Sequence, residues 1–414
     1  MSIMTEAKEG IPDVARPVSR SENLPLDKIV RGLASGRIVI PFNPKHSPLP
    51  TGIGEGLKVK VNVNLGTSED CLDVGEEMKK ANVALKFGAD TIMDLSTGGD
   101  INDIRRKILK SVHVPIGSVP IYQAGLEFAR KSAIVDMTED HIFNGIETHA
   151  KDGIDFMTVH CGITKESVEA LKGSNRLTGV VSRGGSFLTA WILHNGKENP
   201  LYSNYDYLLE MAKEYEFTLS LGDGYRPGCI ADATDAPQIR ELITLGECVK
   251  RARAVGVQSM VEGPGHVPLH QIEANVRLEK SLCDGAPFYV LGPLVTDIAP
   301  GYDHITGAIG GALAASYGAD FLCDVSPSEH LCLPTVEDIK VATVTSKIAA
   351  HVADISRGYG MERDIELSKA RAALDWDRQF ELCIDPEHAR TRRKESRPGK
   401  DDDVCTMCGK YCAI

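Results

Sequence analysis

The chain has 414 residues, of which 46 are Lys or Arg and 58 are Asp or Glu, so its formal net charge is −12. Its hydrophobic content of 42% is too high for a wholly disordered chain, and no long basic stripe offsets the acidic total, which argues against a nucleic-acid-binding protein. No apolar run approaches the roughly 20 residues that span a bilayer, and the N-terminus lacks the features of a signal peptide. We therefore expect a cytoplasmic protein that binds neither membranes nor nucleic acid.

The N-terminal segment, residues 1–57, is rich in proline and polar residues. Its hydrophobic pattern predicts one helix over 26–35 and one apolar strand over 37–41. From residue 58 onward, short β-branched runs alternate with amphipathic stretches such as the predicted helix over 75–87. This alternation is typical of a parallel β/α architecture.

Nine runs have the composition of strands, one more than an eight-stranded barrel can hold. They cover 59–65, 91–95, 116–122, 156–160, 178–182, 218–222, 258–262, 288–291 and 321–325. We expect an α/β fold in which residues 58–334 form a (β/α)8 barrel, with one run outside it or wrongly assigned. A doubly wound sheet is the alternative, but no G-x-G-x-x-G motif opens a first helix.

Polar or distinctive residues follow nearly every one of these runs. The carboxyl ends of barrel strands converge on one face, so we expect these strand-end residues to share a site. They include Asn64, Met93, Tyr122, His160, Ser182, Arg183, Gly184, Asp223, Gly224, Tyr225, Arg226, Glu262 and Tyr289. Taken singly, most of them fit barrel packing or an ordinary βα turn equally well.

Three groups of these residues suggest particular chemistry. The Ser182-Arg183-Gly184-Gly185-Ser186 stretch offers hydroxyls, a guanidinium and backbone N–H groups, a set that suits a phosphate. Asp223 and Arg226 could bind ribose hydroxyls or form a loop salt bridge. Glu262 could be a general base, a hydrogen-bond acceptor or a surface residue.

The C-terminal part divides into a helical region and a tail. Helical sequence runs from 335 to about 382, and we place a helical C-terminal region at 335–390. Residues 388–403 contain proline, glycine and many charges, a composition typical of a mobile tether. The last segment, 391–414, is expected to combine this tether with the cysteine-rich tail.

Three of the eleven cysteines, Cys405, Cys408 and Cys412, are crowded into the last ten residues. A closed zinc site normally has four protein ligands, whereas three thiolates on a [4Fe–4S] cluster leave one iron open. An open iron beside S-adenosylmethionine permits radical chemistry. From spacing alone, a cluster, a zinc site with a remote fourth ligand and a redox-inert tail all remain possible.

Two histidines follow turn-rich sequence just past strand ends. His266 follows Glu-Gly-Pro-Gly and His330 follows Ser-Pro-Ser-Glu, so both could point into a barrel mouth. Two imidazoles with open positions suit zinc or ferrous iron, and a pair of structural loop histidines is the alternative. Cys161 and Cys323 are expected in the core.

Several longer motifs resemble the phosphomethylpyrimidine synthase (ThiC) family over residues 36–414. They include LSTGGDINDIRRKIL, VPIYQA, VSRGGSF, SLGDGYRPG, VEGPGHVPL and the C-terminal CTMCGKYC. The resemblance implies a (β/α)8 barrel, a homodimer and a tethered [4Fe–4S] cluster. It also implies cleavage of S-adenosylmethionine, 5-aminoimidazole ribotide as the substrate, and an electron donor such as flavodoxin or ferredoxin.

Carried over by motif, the resemblance assigns the ribotide contacts to the strand-end residues named above, from Asn64 to Tyr289. It assigns a second divalent metal, zinc or iron, to His266 and His330. It assigns the cluster to Cys405, Cys408 and Cys412. Glu262 and Asp324 are the candidates for proton transfer.

The family contains two chemistries, and two departures from its motifs bear on the choice. The Ile-Thr-Pro-Glu-Met stretch usual in pyrimidine synthases is missing, and Cys323-Asp324-Val-Ser-Pro stands where they commonly have Cys-Tyr-Val-Thr-Pro. We therefore expect a radical carbon–carbon lyase that makes 5-hydroxybenzimidazole for an anaerobic cobamide, with the pyrimidine phosphate of thiamin as the alternative product. A zinc-stabilised binding barrel and a metal-dependent hydrolase that uses His266 and His330 are rivals from other classes.

Overall fold

The computed structural model describes residues 2–129, 132–396 and 404–413. The N-terminal segment forms three helices and a short antiparallel pair of strands. In chain order these are α1 (Ile3–Glu9), α2 (Ala15–Glu22), α3 (Leu26–Ser35), β1 (Ile38–Val39) and β2 (Ile53–Gly54). The predicted helix over 26–35 is confirmed at both ends, and the strand predicted over 37–41 is confirmed at its centre.

Eight parallel strands close into a barrel, which confirms the predicted fold class. They are β3 (Lys60–Leu65), β4 (Thr91–Asp94), β5 (Ile116–Ser118), β6 (Phe156–Val159), β7 (Thr218–Leu221), β8 (Ser259–Gly263), β9 (Phe288–Leu291) and β10 (Phe321–Cys323). Each strand pairs with the next along the chain, and β10 closes the barrel against β3. The strands are buried on both faces, and β3 (KVNVNL) and β7 (TLSL) alternate apolar with polar residues that are themselves largely buried.

One of the nine predicted strands, 178–182, is wrong. In the structure this run is a loop that leads into the ninth helix, and the Asp232 carboxylate holds its start. That carboxylate accepts hydrogen bonds from the backbone N–H groups of Leu177 (2.8 Å) and Thr178 (3.0 Å) and from the Thr178 hydroxyl (2.7 Å). A side chain more than 50 residues away therefore satisfies backbone donors that a neighbouring strand would otherwise pair.

Eleven helices described between Val74 and Tyr317 surround the barrel or lie in its loops. They are α4 (Val74–Lys86), α5 (Ile101–Ser111), α6 (Pro120–Ala129), α7 (Glu139–Asp152), α8 (Lys165–Lys172), α9 (Arg183–Asn195), α10 (Pro200–Ser203), α11 (Tyr205–Tyr215), α12 (Ala236–Ala254), α13 (Ile272–Leu282) and α14 (Asp303–Tyr317). The helix predicted over 75–87 corresponds to α4, whose N-cap Asp73 accepts the Glu76 N–H.

The N-terminal segment packs at the amino ends of the barrel strands, away from the carboxyl ends. The Ser2 hydroxyl donates to the carbonyl of Gly256 (2.6 Å), and the Ile3 N–H donates to the Glu216 carboxylate (3.1 Å). Gly256 and Glu216 precede β8 and β7 respectively. This end of the barrel is therefore covered by the chain itself.

The C-terminal region continues with four helices. They are α15 (Val336–Ser356), α16 (Met361–Ala372), α17 (Trp376–Leu382) and α18 (Pro386–Glu395). The helical prediction over 335–382 is confirmed as three helices with short turns between them. Within the described ranges, none of the protein's helices combines the length and apolarity needed to cross a bilayer.

The tether predicted over 388–403 is wrong at its start, because residues up to Glu395 belong to α18. Asp385 caps this helix by accepting the His388 N–H (2.9 Å), and Pro386 occupies its first position. Glu387 also forms an ion pair with Lys86 of α4 (2.8 Å). Residues 397–403 lie outside the described residues, so the division at 391–414 stays a prediction, as do the other segment boundaries.

Candidate functional site

A cavity opens at the carboxyl ends of the barrel strands. Eight of the predicted strand-end residues line it together: Asn64, Met93, Tyr122, His160, Asp223, Arg226, Glu262 and Tyr289. They come from both halves of the barrel, as the convergence of strand ends predicts. Tyr122 arrives differently from the prediction, because β5 ends at Ser118 and Tyr122 lies in the first turn of α6.

Two buried polar atoms in the cavity wall make no hydrogen bond within the described part of the chain. They are Nδ1 of His160 and Oδ2 of Asp223, and both residues line the cavity. Burying a polar atom without a partner costs about 1–3 kcal/mol. Oδ2 of Asp223 is therefore a candidate for a ligand contact, whereas Nδ1 of His160 lies against Gly184, where an added Cβ atom would be 2.5 Å from it.

The charged groups of the cavity are buried and close together. Arg226 Nη1 lies 3.3 Å from Oδ1 of Asp223. Burial raises the pKa of Asp223 well above its usual range, and Arg226 opposes this. Burial, together with the charge of Arg226, lowers the pKa of His160 to about 3. The imidazole of His160 is therefore neutral at physiological pH.

A second, outer cavity shares Asn64, Tyr122 and Arg226 with the first. The predicted residue Arg183 lines this outer cavity, and its guanidinium lies 4.9 Å from the centroid of the Tyr122 ring. A guanidinium over an aromatic face gains a cation–π interaction. Arg183 and Arg226 therefore place two cations at the mouth of the barrel, where an anionic group could bind.

Ser182 and Gly184 lie behind His160 at the N-terminus of α9. The Ser182 hydroxyl is 3.2 Å from His160 Nε2 and accepts the Gly185 N–H as the helix N-cap (3.1 Å). A Cβ atom on Gly184 would lie only 2.3 Å from Cε1 of His160. These two residues therefore hold the imidazole in place, and they are not among the residues that line the inner cavity.

A carboxylate that the sequence did not single out binds the backbone N–H groups of Gly224 and Tyr225. Glu241 of α12 accepts the backbone N–H of Gly224 (2.8 Å) with one oxygen and that of Tyr225 (2.7 Å) with the other. The Tyr225 side chain is buried, and its hydroxyl lies 3.1 Å from that of Thr189. No local motif marks Glu241, because its partners lie 16 and 17 residues earlier, in the loop between β7 and α12.

Two hydroxyl residues of the barrel interior, Thr158 and Ser220, were also missed. Both donate to Oε1 of Glu262, at 2.7 and 2.6 Å. Thr158 lines the cavity, as does Cys323, whose sulfur accepts a hydrogen bond from the Asn64 amide (3.0 Å). Alternation along the strands could have identified the hydroxyls, since Thr158 and His160 are two residues apart and face the same side of β6.

Asp324, a candidate for proton transfer, lies beneath the cavity wall. Its Oδ1 accepts the backbone N–H of Asn64 (3.0 Å), and the residue is only 3% exposed. Burial raises its pKa well above the usual range. Asp324 is not among the residues lining either cavity described above. Its carboxylate joins the end of β10 to β3, and its part in proton transfer stays a prediction.

His266 and His330 are brought together near the mouth. Nδ1 of His266 lies 2.8 Å from Oδ1 of Asp297, and Nδ1 of His330 lies 3.2 Å from Oδ1 of Asp303. A carboxylate on Nδ1 leaves Nε2 available and is the usual arrangement behind a metal-binding histidine. The pair therefore fits a metal ion, although no group of three or more His, Cys, Asp or Glu side chains suited to a metal occurs within the described ranges.

The tail forms a tight turn that carries the three cysteines as free thiols. The Gly409 N–H donates to the Cys405 carbonyl (2.9 Å), and a 3-10 turn follows at Gly409–Tyr411. Backbone N–H groups of Cys408 and Met407 lower the pKa of the Cys405 thiol. N–H donors around a thiol favour the thiolate that metal ligation requires, so the tail fits a thiolate-bound cluster.

Three relatives that match this chain over nearly their full length share one name. Phosphomethylpyrimidine synthases are 56% identical in Methanocaldococcus jannaschii (100% of this chain, 98% of that protein), 57% identical in Geobacter metallireducens (98% and 94%) and 58% identical in Thermoanaerobacter sp. (96% and 93%). A solved dihydropteroate synthase from Coxiella burnetii superposes with a TM-score of only 0.40 at 12% identity over 74% of this chain and 96% of that chain, which is too low to bear on the site.

The expectation that the chain makes 5-hydroxybenzimidazole is wrong. Relatives more than half identical over nearly the whole chain are named phosphomethylpyrimidine synthase, which was the alternative reading. The two departures that favoured benzimidazole do not touch the cavity. The N-terminal segment packs at the opposite end of the barrel, and the Asp324 carboxylate accepts the Asn64 N–H behind the cavity wall.

The profile of one family extends over practically the whole molecule. It matches residues 2–414, and so includes the barrel, the helical C-terminal region and the cysteine tail. Together with the identities above, this match agrees with the resemblance seen in the motifs. The chain belongs to the Radical SAM ThiC family.

Proposed function

We propose that this chain is a phosphomethylpyrimidine synthase, which converts 5-aminoimidazole ribotide into the hydroxymethylpyrimidine phosphate of thiamin. The observation that carries the proposal is the convergence of eight predicted ribotide contacts on one cavity, two of them with a buried polar atom that has no hydrogen-bond partner among the described residues. The names of the full-length relatives support the same product.

The residues of the two cavities offer complementary groups for a ribotide. Arg183 and Arg226 provide cations for its phosphate. Asp223 Oδ2 is suited to a hydroxyl or amino group of the ligand, because it is buried and has no hydrogen-bond partner within the described residues. The surrounding barrel would hold reactive intermediates in a fixed orientation and keep water away from them.

Two further groups complete the proposed enzyme. Cys405, Cys408 and Cys412 would hold a [4Fe–4S] cluster, and His266 and His330 would hold a zinc or iron ion. A reduced cluster held by these cysteines would supply one electron for the cleavage of S-adenosylmethionine to methionine and a 5′-deoxyadenosyl radical. We propose that the tail acts over a barrel mouth within a homodimer, with a flavodoxin or ferredoxin as the electron donor.

The test is the product formed by anaerobically reconstituted protein. With reductant, S-adenosylmethionine and aminoimidazole ribotide, we expect mass spectrometry to detect a phosphorylated pyrimidine. Cys408→Ala should lose both the product and the iron of the cluster, about four per chain. Cys383→Ala is the matched control, because Cys383 lies at the end of α17, outside the tail.

Two results would overturn the proposal. One is a neutral benzimidazole as the product. The other is a colourless zinc-containing protein that leaves S-adenosylmethionine intact in the parent chain, since this would favour a zinc-stabilised binding barrel.

A further inference from the structure

The carboxylate of Glu262 is held by two hydroxyls that approach the same oxygen. Oε1 of Glu262 accepts from Thr158 Oγ1 at 2.7 Å and from Ser220 Oγ at 2.6 Å. Thr158 is 4% exposed and Ser220 is fully buried. Water therefore has little access to replace either hydroxyl if it is removed.

The register of the barrel explains why these two residues meet one carboxylate. Thr158 and Ser220 are direct partners across β6 and β7, and Ser220 is the partner of Met260 on β8. Glu262 lies two residues beyond Met260, so its side chain faces the same side of β8 one layer nearer the mouth. The hydroxyl pair thus supports the carboxylate from the layer beneath.

Both lone pairs of Oε1 are used by this pair, since a carboxylate oxygen accepts about two hydrogen bonds. The second oxygen, Oε2, is the one left for a donor within the cavity that Glu262 lines. A carboxylate held in this way cannot rotate without breaking two short bonds to buried donors. Its orientation is therefore set before any ligand arrives.

We propose that Thr158 and Ser220 are positioning residues, which orient Glu262 so that Oε2 accepts a hydrogen bond from an N–H or O–H group of the bound ribotide. This inference rests on the proposed function for the identity of the ligand. It adds two residues that contribute to binding through Glu262.

The charges around Glu262 give the inference a pH dependence. Within the described residues, the ionisable groups that line a cavity together with Glu262 are Arg226 and Asp223 from the loop after β7, Glu241 from α12, Tyr122 from α6, Tyr289 from β9, Cys323 from β10 and His160 after β6. Burial raises the pKa of Glu262, and the hydrogen bonds from Ser220 and Thr158 lower it. Removing either hydroxyl therefore favours the protonated acid, which no longer accepts as strongly.

The test measures binding of aminoimidazole ribotide to the full-length protein by calorimetry, without S-adenosylmethionine. Thr158→Val and Ser220→Ala should each weaken binding about tenfold, as expected when a hydrogen bond to a charged group is lost. Thr158→Ser keeps the hydroxyl and should stay within about twofold of the parent. In the two weakened variants, the acid limb of the binding profile should also move to higher pH.

The barrel provides matched controls for both substitutions. Thr218 on β7 and Ser259 on β8 carry buried hydroxyls that make no hydrogen bond within the described residues. Thr218→Val and Ser259→Ala remove the same atoms and should bind the ribotide as the parent does. If Thr158→Val does not fold, Ser220→Ala decides the question, because it removes a single oxygen.

The possible outcomes separate this inference from the proposed function. Parent-like binding by Ser220→Ala and by folded Thr158→Val would overturn the inference and leave the function standing. An equal loss in the Thr218→Val and Ser259→Ala controls would also overturn it, since any buried hydroxyl would then have the same effect. Failure of the parent chain to bind the ribotide would instead contradict the proposed function.

Discussion

The imidazole rings of His266 and His330 lie with their centroids 5.2 Å apart at the mouth of the barrel, although one follows β8 and the other follows β10. Each ring has its Nδ1 atom beside a carboxylate, that of Asp297 or that of Asp303. The two Nε2 atoms are therefore the nitrogens available to a shared ligand.

From this pair we predict a divalent metal site. His266→Ala and His330→Ala should each weaken Zn²⁺ binding to the cluster-free protein by more than tenfold, and Asp297→Asn by about tenfold, as measured by titration against a chelating dye. His351→Ala is the control, because His351 pairs with Asp364 in the C-terminal region. Unchanged zinc affinity in both histidine variants would contradict the site.

The contact between Gly184 and His160 gives a second prediction. Gly184→Ala places a methyl group 2.3 Å from Cε1 of His160, so the ring must move. We expect a loss of about 1–3 kcal/mol in the free energy of unfolding, together with weaker ribotide binding. Gly173→Ala is the control, since the nearest atoms to its added Cβ are 3.8 Å away. Parent-like stability and binding of Gly184→Ala would show that the ring can shift freely.

Glu279 provides a prediction about pH. It is fully buried, and neither carboxylate oxygen has a hydrogen bond within the described residues. Burial raises its pKa to about 8, although Lys280, whose Nζ lies 3.6 Å from Oε2, opposes this. Because this value exceeds the unfolded one, the folded state holds the proton longer and stability falls as pH rises towards 8. His160, with its pKa of about 3, contributes the opposite slope only below about pH 6.5.

The measurement is the free energy of unfolding in denaturant between pH 6.5 and 8. We expect the parent to lose roughly 1–2 kcal/mol from Glu279 across this window, and Glu279→Gln, which is neutral throughout, to lose less by that amount. Glu273→Gln lies on the exposed side of the same helix, where Glu273 pairs with Arg277, and should keep the parent's slope. If the free energy of unfolding of Glu279→Gln falls with pH as steeply as that of the parent, this assignment is wrong.

For Asp324 we predict that a conservative substitution leaves stability, ribotide binding and the product nearly unchanged. Its Oδ1 accepts the Asn64 N–H, and Asp324→Asn keeps a carbonyl oxygen that can do the same. We expect a stability change below about 1 kcal/mol, unchanged ribotide binding and the same product by mass spectrometry. If a folded Asp324→Asn protein bound ribotide but formed no product, Asp324 would take part in the chemistry after all.

Much of the fold could be predicted because its signals are local. The eight true strands are short, buried and mostly apolar runs, and α3 and α4 have the periodicity of amphipathic helices. The errors arise from contacts distant in sequence. The 178–182 run is as rich in β-branched residues as a strand, but Asp232 satisfies the backbone donors at its start. The charged stretch of α18 forms a helix because Asp385 caps it and Lys86 of α4 pairs with it.

Most of the residues that line the cavity could be predicted from the sequence, but the residues that hold them in position could not. Strand-end residues could be assigned because a barrel brings those ends together, and eight of them do line one cavity. Glu241, Thr158 and Ser220 carry no motif. Their importance comes from pairing with Gly224, Tyr225 or Glu262, and barrel register decides which side chains meet.

The contact between β10 and β3, which closes the barrel, determines when a newly made chain can first bind a ligand in the cavity. Asn64, on the first barrel strand, is fixed by Cys323 and Asp324 at the end of the last one. A growing chain on the ribosome has no complete binding wall until residues beyond Asp324 have been synthesised and the final strand has docked. Capture of a ligand is thus confined to finished molecules, and a ligand that spans this contact would oppose reopening of the barrel.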